Sequence, residues 1–351
     1  MTETNQTRRT LLAAAGAMAA LFAARASAQA KKLDPVNVAN NGIQFTYGPF
    51  YVALHGGFFA EQGIEIHETS QNATAISISS VLNGDSHFGL GPSDQVAITV
   101  ARKQPLRAVA LLVSGFPNVI VLRKSVAEEI TRTTGVTQAS SVADKARVLK
   151  GKTFALTSAG SPLESVLYDQ ARKGGLNPDN DLTVSYTGSG AGTFAALKSG
   201  RVDGAVTGFP FSIQAFTENI SVKWIDTTSA EVPELHGMDF STMFTSQRLI
   251  QSNPDLVQRM VNAIAKAQSY LQTNKNQSRE LLRKVFPSMT PQVLDLAFDT
   301  IYPLFAKTPA GTEQGFAKAE TLLNKTLQNK INVAFADAVD NRFAAKAAGI
   351  R

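Results

Sequence analysis

The chain of 351 residues contains no cysteine. A disulfide, a thiolate metal site and a cysteine nucleophile are therefore excluded, as is the lipidated cysteine of a bacterial lipoprotein. Histidine is scarce as well. The four that occur are His55, His67, His87 and His236, and no two of them have the spacing of metal ligands on a helix. We therefore expect no metal ion and no other cofactor.

Catalytic motifs are also missing. The nucleophile elbow G-x-S-x-G does not occur. The stretch "GSGAGT" at 188–193 has Thr193 where a dinucleotide-binding loop has its third glycine, and it lacks the lysine of a P-loop. Glycines that form a tight strand-to-helix turn explain this stretch better. We identify no catalytic residue and expect a protein that is not an enzyme.

The sequence has no segment in which charges of one sign are concentrated. The formal net charge is +6, and we find no block of Lys and Arg with interleaved aromatic residues. Nucleic acid is therefore not an expected partner. The length and a hydrophobic content of 44% are sufficient for roughly two domains with packed cores.

The N-terminus has the pattern of an export signal. "TRRTLL" at Thr7 to Leu12 places two arginines before an apolar run that ends at Ala24, and "ASA" follows at 26–28. The run is shorter than the roughly 20 residues that span a bilayer, so a short membrane anchor is the weaker alternative. We expect 1–28 to be a removable Tat-type signal peptide, and its loss lowers the formal charge to +4 because three Arg and one Glu are removed. The predicted location is the periplasm.

The rest of the sequence alternates strand and helix patterns, which favours parallel βαβ units. One helix is predicted over 47–63, and another begins at Pro162 with Ser161 as its candidate cap. Two stretches repeat the same helix–turn–strand plan, "SVLNGDSHFGLGP" at 80–92 and "ALKSGRVDGAVTG" at 196–208. The matched order of elements around them predicts two similar lobes.

After Asp226 the regular alternation of strand and helix patterns ends. "FSTMFTS" at 240–246 is a possible further strand, and a strong amphipathic helix is predicted from Pro254, with Asn253 as its cap. No third strand series follows, so we expect the chain to return to the first lobe. The predicted lobes are 33–115 plus 238–351 and 116–237. Two crossover segments, near 114–118 and 226–237, would join them.

Small polar residues follow the predicted strands of both lobes. Examples are "NNGIQFTYGP" and "GPSDQ" in the first lobe and "TSAGSP" and "TGFPFS" in the second. Ligands of open α/β sheets bind outside the carboxyl ends of the strands, and helix N-termini there favour anions. For any single loop, ordinary turn chemistry explains these residues equally well. Together they predict a ligand cleft between two lobes that can close as a hinge.

Several stretches occur in an order typical of one protein family: "YGPFYVALHGGFFAEQGIEI", "VLNGDSHFGLG", "LKGKTFALTSAGSPLE", "ALKSGRVDGAVTGFPF" and "NPDLVQRMVNAIAKAQSYLQTN". The chain resembles periplasmic substrate-binding proteins of ABC transporters, of the nitrate/sulfonate/taurine type. Their fold is shared with the thiamine-pyrimidine-precursor family, whose cysteine-rich motif is absent here. The resemblance implies the α/β two-lobed periplasmic binding protein fold (type II). In that fold each lobe has a central, mostly parallel sheet flanked by helices, and two crossover segments join the lobes.

The resemblance also implies a set of ligand contacts from both lobes. Carried over by position, these are Gln44, Phe45, Tyr47, Thr74, Ser93, Asp94, Ser158, Gly160, Ser161, Thr207 and Phe209. Asp94 has two equally supported interpretations. It contacts an amine of the ligand, or it caps the helix that begins beside it.

The function that the resemblance implies is capture of a small organic acid, such as a sulfonate, taurine or a related anion, and delivery to an ABC permease in the inner membrane. A monomer is expected. Two alternatives stay open: a ligand-sensing receptor for a membrane kinase, and a hydrolase or transferase on the same frame.

Overall fold

A computed structural model of the chain describes residues 33–71, 73–229 and 231–348. The signal peptide predicted at 1–28 lies outside the described residues. No helix in the described part of the chain combines the length and the apolar character that a membrane crossing requires.

The first lobe is built around a five-stranded sheet. Its strands are β1 (Asp34–Asn40), β2 (Ile64–Ser70), β3 (Phe88–Pro92), β4 (Leu106–Ser114) and, from much later in the chain, β10 (Asp239–Ser246). The helices between the first four strands are α1 (Gly48–His55), α2 (Phe58–Glu61), α3 (Thr74–Asn83) and α4 (Ser93–Ala101), and a 3-10 turn (Phe45–Tyr47) precedes α1. We call this unit lobe 1.

The second lobe, lobe 2, has a sheet of the same size. Its strands are β5 (Asn118–Arg123), β6 (Thr153–Leu156), β7 (Thr183–Tyr186), β8 (Gly204–Gly208) and β9 (Ser221–Ile225). Its helices are α5 (Lys124–Thr134), α6 (Val142–Arg147), α7 (Pro162–Lys173), α8 (Pro178–Asp181), α9 (Gly190–Lys198) and α10 (Phe211–Thr217).

The two sheets have equivalent strand orders, β2-β1-β3-β10-β4 and β7-β6-β8-β5-β9. In each sheet one strand, β10 or β5, runs antiparallel to both of its neighbours, and the other strand pairs in the sheet are parallel. The repeated stretches at 80–92 and 196–208 supply β3 and β8, which occupy the same place in the two orders. The predicted two-lobed α/β fold with mostly parallel sheets is confirmed.

The antiparallel strands are the two that enter a lobe from the other one. The first crossover leads from β4 into β5, and the second leads from β9 through a 3-10 turn (Pro233–Leu235) into β10. The crossovers lie side by side, because the N–H of Gly115 donates to the carbonyl oxygen of Met238 at 2.7 Å. Gly115 has a φ of +102°, a backbone conformation that residues with a Cβ rarely adopt. A junction of two adjacent segments is the geometry of a hinge.

The C-terminal segment is helical and packs on both lobes. It contains α11 (Gln247–Ser252), α12 (Pro254–Thr273), α13 (Lys275–Arg283), α14 (Pro291–Ile301), a 3-10 turn (Tyr302–Leu304), α15 (Glu313–Asn324), α16 (Phe335–Ala338) and α17 (Arg342–Ala347). Helix α12 lies on α1 of lobe 1, α14 contacts α10 of lobe 2, and α15 contacts both α4 and α7. The lobe boundaries drawn from the sequence stay a prediction.

The helix predicted from Pro254 and the helix predicted over 47–63 can be compared with the structure. Helix α12 begins at Pro254, and the side chain of Asn253 accepts a hydrogen bond from the N–H of Leu256 at 3.1 Å, as the sequence predicts. The single helix predicted over 47–63 is wrong, because the chain breaks it into α1 and α2. The break falls at Gly57, whose φ is +80°.

Candidate functional site

A cavity of about 400 Å³ lies between the two lobes. We call it the cleft. Lobe 1 contributes 41–44 after β1, Thr46, 73–75 at the start of α3, Pro92, Gln95 and Phe240, and lobe 2 contributes Asn118, 157–163, 188–191, 207–209 and Phe211. Such a volume is within the usual range of sites for small molecules.

The structure brings seven of the predicted contact residues together in the cleft. They are Gln44, Thr74, Ser158, Gly160, Ser161, Thr207 and Phe209. Each lies at the edge of a sheet where the parallel strands end, or at the start of the helix that follows. This common edge explains why loops distant in sequence meet.

The structure places Phe45 and Tyr47 behind the cleft lining. Phe45 is fully buried, and its ring stacks on Phe286 with centroids 4.4 Å apart. The hydroxyl of Tyr47 donates a hydrogen bond to the side-chain oxygen of Asn41 and lies 3.4 Å from the carbonyl oxygen of Leu90. Tyr47 therefore orients Asn41, which does line the cleft.

Ser93 and Asp94 also lie outside the cleft lining. The hydroxyl of Ser93 donates to the carbonyl oxygen of Asp239. Asp94 is 5% exposed and faces a small internal space that it shares with Pro162 and Leu322, among other residues. Helix α4 begins at Ser93 with Pro92 in the cap position, so Asp94 is the second residue of the helix rather than its cap.

The environment of Asp94 favours the uncharged acid. Its Oδ1 atom has no hydrogen-bond partner in the described ranges. Burial raises the pKa of its carboxyl to about 7, and hydrogen bonding at the start of the helix opposes this only in part. Burial likewise raises the pKa of nearby Asp239 to about 6, against hydrogen bonds from Thr312. Burial in this region therefore disfavours the ionised form of both carboxyl groups.

Among the cleft residues that were not predicted from the sequence are Asn118 and Phe240. Asn118 is the first residue of β5 and Phe240 the second of β10. Both strands run antiparallel to their neighbours, so their beginnings lie at the edge where the parallel strands end. They lie at the beginnings of their strands, whereas the predicted contacts follow strands. A strand that comes directly after a crossover is the sequence feature that indicates such residues.

The polar side chains of the lobe 1 wall bond to one another. The amide nitrogen of Asn41 donates to the hydroxyl of Thr74 at 3.0 Å. The amide nitrogen of Gln44 donates to the side-chain oxygen of Asn41 at 2.8 Å, and the hydroxyl of Thr46 donates to Gln44 at 3.3 Å. These contacts satisfy much of the hydrogen-bonding capacity of this wall without a ligand.

The lobe 2 wall presents the N-termini of two helices. Helix α7 begins at Pro162 and α9 at Gly190. The first N–H groups of a helix have no carbonyl one turn back to bond, and the positive end of the helix dipole lies beside them. Ser189 caps α9 by accepting from the N–H of Gly192 at 3.1 Å, whereas Ser161 makes no such bond at α7. The lobe 2 wall therefore offers neutral donors to an anion.

Titratable side chains are absent from the lining of the cleft, as far as residues 33–71, 73–229 and 231–348 describe it. The same ranges contain no group of three His, Asp or Glu residues that could hold a metal ion. General acid–base chemistry requires a proton acceptor within hydrogen-bond reach of the reacting group. The arrangement can bind and enclose a small molecule, and the described lining provides no side chain that would activate one.

The two lobes, the paired crossovers and the cleft define the class: this chain has the periplasmic binding protein fold. Three solved structures share it, each superposing over most of both chains. A protein of Bordetella bronchiseptica RB50 has a TM-score of 0.75 at 21% identity, covering 89% of this chain and 96% of that one. The ligand-binding component of an ABC-type import system from Staphylococcus aureus, solved with zinc bound, has a TM-score of 0.67 at 13% identity, covering 90% and 99%. The alkanesulfonate-binding protein SsuA from Xanthomonas axonopodis pv. citri, bound to MOPS, has a TM-score of 0.62 at 17% identity, covering 82% and 90%.

The chain belongs to the NMT1-like family, which matches residues 35–285. A curated relative, YtlA of Bacillus subtilis (strain 168), is 22% identical over 343 residues, which are 95% of this chain and 96% of YtlA. The resemblance to the nitrate/sulfonate type of binding protein, inferred from the sequence motifs, is confirmed.

Proposed function

We propose that the protein is a periplasmic receptor that binds a small organic acid in the cleft and delivers it to an ABC permease in the inner membrane. The observation that carries the proposal is the cleft itself, a space of about 400 Å³ formed by both lobes and lined by the first residues of two helices, α7 and α9. The Tat-type pattern before residue 29 supports export, and the structurally similar binding proteins support transport.

Binding of a ligand by both lobes would stabilise a closed state, which a permease can recognise. Direct contacts already join the two lobes, one of them at the cleft lining. The amide nitrogen of Gln95 donates to the carbonyl oxygen of Gly160 at 3.4 Å, and Lys325 forms an ion pair with Asp169 of α7 at 2.6 Å. The residues proposed to contact the ligand are the seven predicted residues that line the cleft, together with Asn118 and Phe240.

Binding without turnover fits the lining better than catalysis does. Ser158, Ser161 and Ser189 line the cleft, but no described histidine or carboxylate lies there to activate a serine hydroxyl. Incubation of the purified protein with each bound acid, followed by mass spectrometry, should return the acid unchanged. A product that accumulates with time would show that the chain is an enzyme.

A screen of melting temperature against organic acids tests the receptor function. A ligand at 100 times its Kd adds about 2.7 kcal/mol to the free energy of unfolding, which gives a clear shift. Uptake of the strongest hit by cells with and without the gene then tests transport. Normal uptake in cells that lack the gene would contradict delivery to a permease and would favour a sensory role.

A further inference from the structure

We propose that the ligand carries one acidic head on an otherwise uncharged, largely apolar body, and that neutral groups of lobe 2 bind this head. The proposal deepens the proposed function, since it rests on the cleft being the ligand site. The head-binding groups are the hydroxyl of Ser161, the amide of Asn118 and the first free N–H groups of α7 and α9.

On the lobe 2 wall, Ser161 and Asn118 each have a buried polar atom that bonds to no described residue. The hydroxyl of Ser161 and the amide nitrogen of Asn118 make no hydrogen bond within the part of the chain that the structure describes. Ser161 is 8% exposed and Asn118 is 7% exposed, and both line the cleft. Buried polar groups in native proteins are nearly always bonded, so these two are the first candidates for bonds to a ligand.

The backbone around Ser161 favours a negative charge at the same place. Helix α7 has 12 residues and α9 has nine, long enough for a helix dipole. The N–H of Leu163 in α7 and those of Gly190 and Ala191 in α9 belong to the first turn of each helix, where no intrahelical acceptor exists. All three residues line the cleft. An acidic head beside Ser161 would meet hydroxyl, amide and N–H donors without any basic side chain.

A charged amine on the ligand would have no counterpart. No Asp, Glu, Lys, Arg or His is among the described residues that line the cleft. The side chain of Glu164 in α7 lies close by, but its carboxylate accepts from the N–H of Gly160 at 2.7 Å and from the hydroxyl of Tyr186. Asp94 faces a different, internal space. An ammonium group moved from water into the cleft would therefore be left without a compensating charge.

The remaining lining suits an apolar body. Phe209, Phe211 and Phe240 line the cleft, and so does Ile43, which is 49% exposed. The ring of Phe240 is held by an edge-to-face contact with Phe116, with centroids 5.4 Å apart. An inorganic anion would leave this apolar surface and most of the volume of about 400 Å³ unused.

Matched probes test the ligand class on the purified mature chain. Ethanesulfonate and taurine differ by one ammonium group, and benzoate and benzamide differ by the charge of the head. A panel of aliphatic and aromatic acids, each with its amide and its amino derivative, extends these pairs. We expect acids to raise the melting temperature, and amides and amino derivatives to bind at least tenfold more weakly. Tighter binding of taurine-like zwitterions or of amides would overturn the ligand class while leaving a receptor. Binding by no compound of the panel would overturn the proposed function as well.

Substitutions at Ser161 test the position of the head, with the best acid of the panel as probe. Because Ser161 makes no cap bond, Ser161→Ala should leave the melting temperature unchanged or raise it, yet weaken binding roughly tenfold or more. Ser161→Asp introduces a favoured cap residue, so the fold should persist while acid binding is abolished.

The control is Ser141→Ala. Ser141 caps α6 by accepting from the N–H of Asp144 at 3.2 Å, and neither residue lines the cleft. This change should lower the melting temperature and leave the affinity intact. Unchanged acid binding by a folded Ser161→Asp protein would overturn the proposed head site.

Discussion

Replacement of Asp94 by asparagine should remove a pH-dependent destabilisation of the fold. The carboxyl is 5% exposed, and its Oδ1 atom has no partner in the described residues. Asparagine has nearly the same shape and no charge. The exchange therefore isolates the free energy of placing a carboxylate in this environment.

The magnitude follows from the pKa. In the unfolded chain the carboxyl ionises near its ordinary value of 3.8, whereas in the folded protein burial raises its pKa to about 7. Between these values the folded state holds more protons than the unfolded state, so the free energy of unfolding falls as pH rises. One pKa unit is worth about 1.4 kcal/mol, so the ionised carboxylate costs about 4 kcal/mol above pH 7 and nothing at pH below the unfolded pKa.

Urea unfolding followed by circular dichroism at about pH 5 and about pH 8 measures this cost. The stability advantage of Asp94→Asn over the natural chain should grow by about 3 kcal/mol between the two pH values. Burial also raises the pKa of Asp239, so the profile of the natural chain alone does not identify Asp94. Exposed Glu128 supplies the control substitution to glutamine. An advantage that stays constant with pH would refute the reasoning.

Asp94→Asn also tests whether this carboxylate contacts the ligand, since the helix position of Asp94 already excludes a capping role. Because Asp94 does not line the cleft, the affinity for acid probes should not change. A large loss of affinity, confined to ligands with an amine, would show instead that the carboxylate reaches the ligand.

Two further predictions concern lobe 2. Glu231→Gln removes the charge partner of Lys145, whose side chain is 1% exposed, and should destabilise the lobe by about 3 kcal/mol. Unfolding can be followed by the fluorescence of Trp224, the single tryptophan, because its indole N–H donates to the carbonyl oxygen of Lys145 at 2.9 Å. Unchanged stability would show that the ion pair is dispensable. Gly208→Ala would place a Cβ 2.5 Å from the side-chain oxygen of Asn118 and should displace that amide from the cleft. Calorimetric titration should then show weaker acid binding, and equal affinity would argue against a role for Asn118.

The repeat in the sequence predicted the two-lobed plan because it reflects equivalent strands. Gly84 caps the helix before β3 and Gly200 follows the helix before β8 by two residues, and both have a positive φ that glycine adopts without strain. Signals of this kind are local, so a single sequence reveals them. The entry of β5 and β10 into the sheets is set by tertiary pairing instead, and Asn118 and Phe240 were therefore missed.

The site residues show the same division. Loops after parallel strands were placed at the cleft, but the direction of each side chain depends on packing that the sequence does not display. Phe45 turns into the core against Phe286, and Ser93 turns toward the backbone of Asp239. Ser161 was predicted as a cap, and the structure places it in the cap position without a capping bond. The direction of each of these side chains depends on the residues that pack around it in the folded protein, which local sequence patterns do not reveal.

The central claim is that the cleft binds an organic acid, and calorimetric titration of Ser161→Trp against the natural chain tests it most directly. The indole should fill the space that Ser161 lines without removing a capping bond, so lobe 2 should remain folded. We expect that the acid which binds most tightly to the natural chain shows no binding to folded Ser161→Trp. Equal affinity for the two proteins would place the ligand elsewhere and contradict the account.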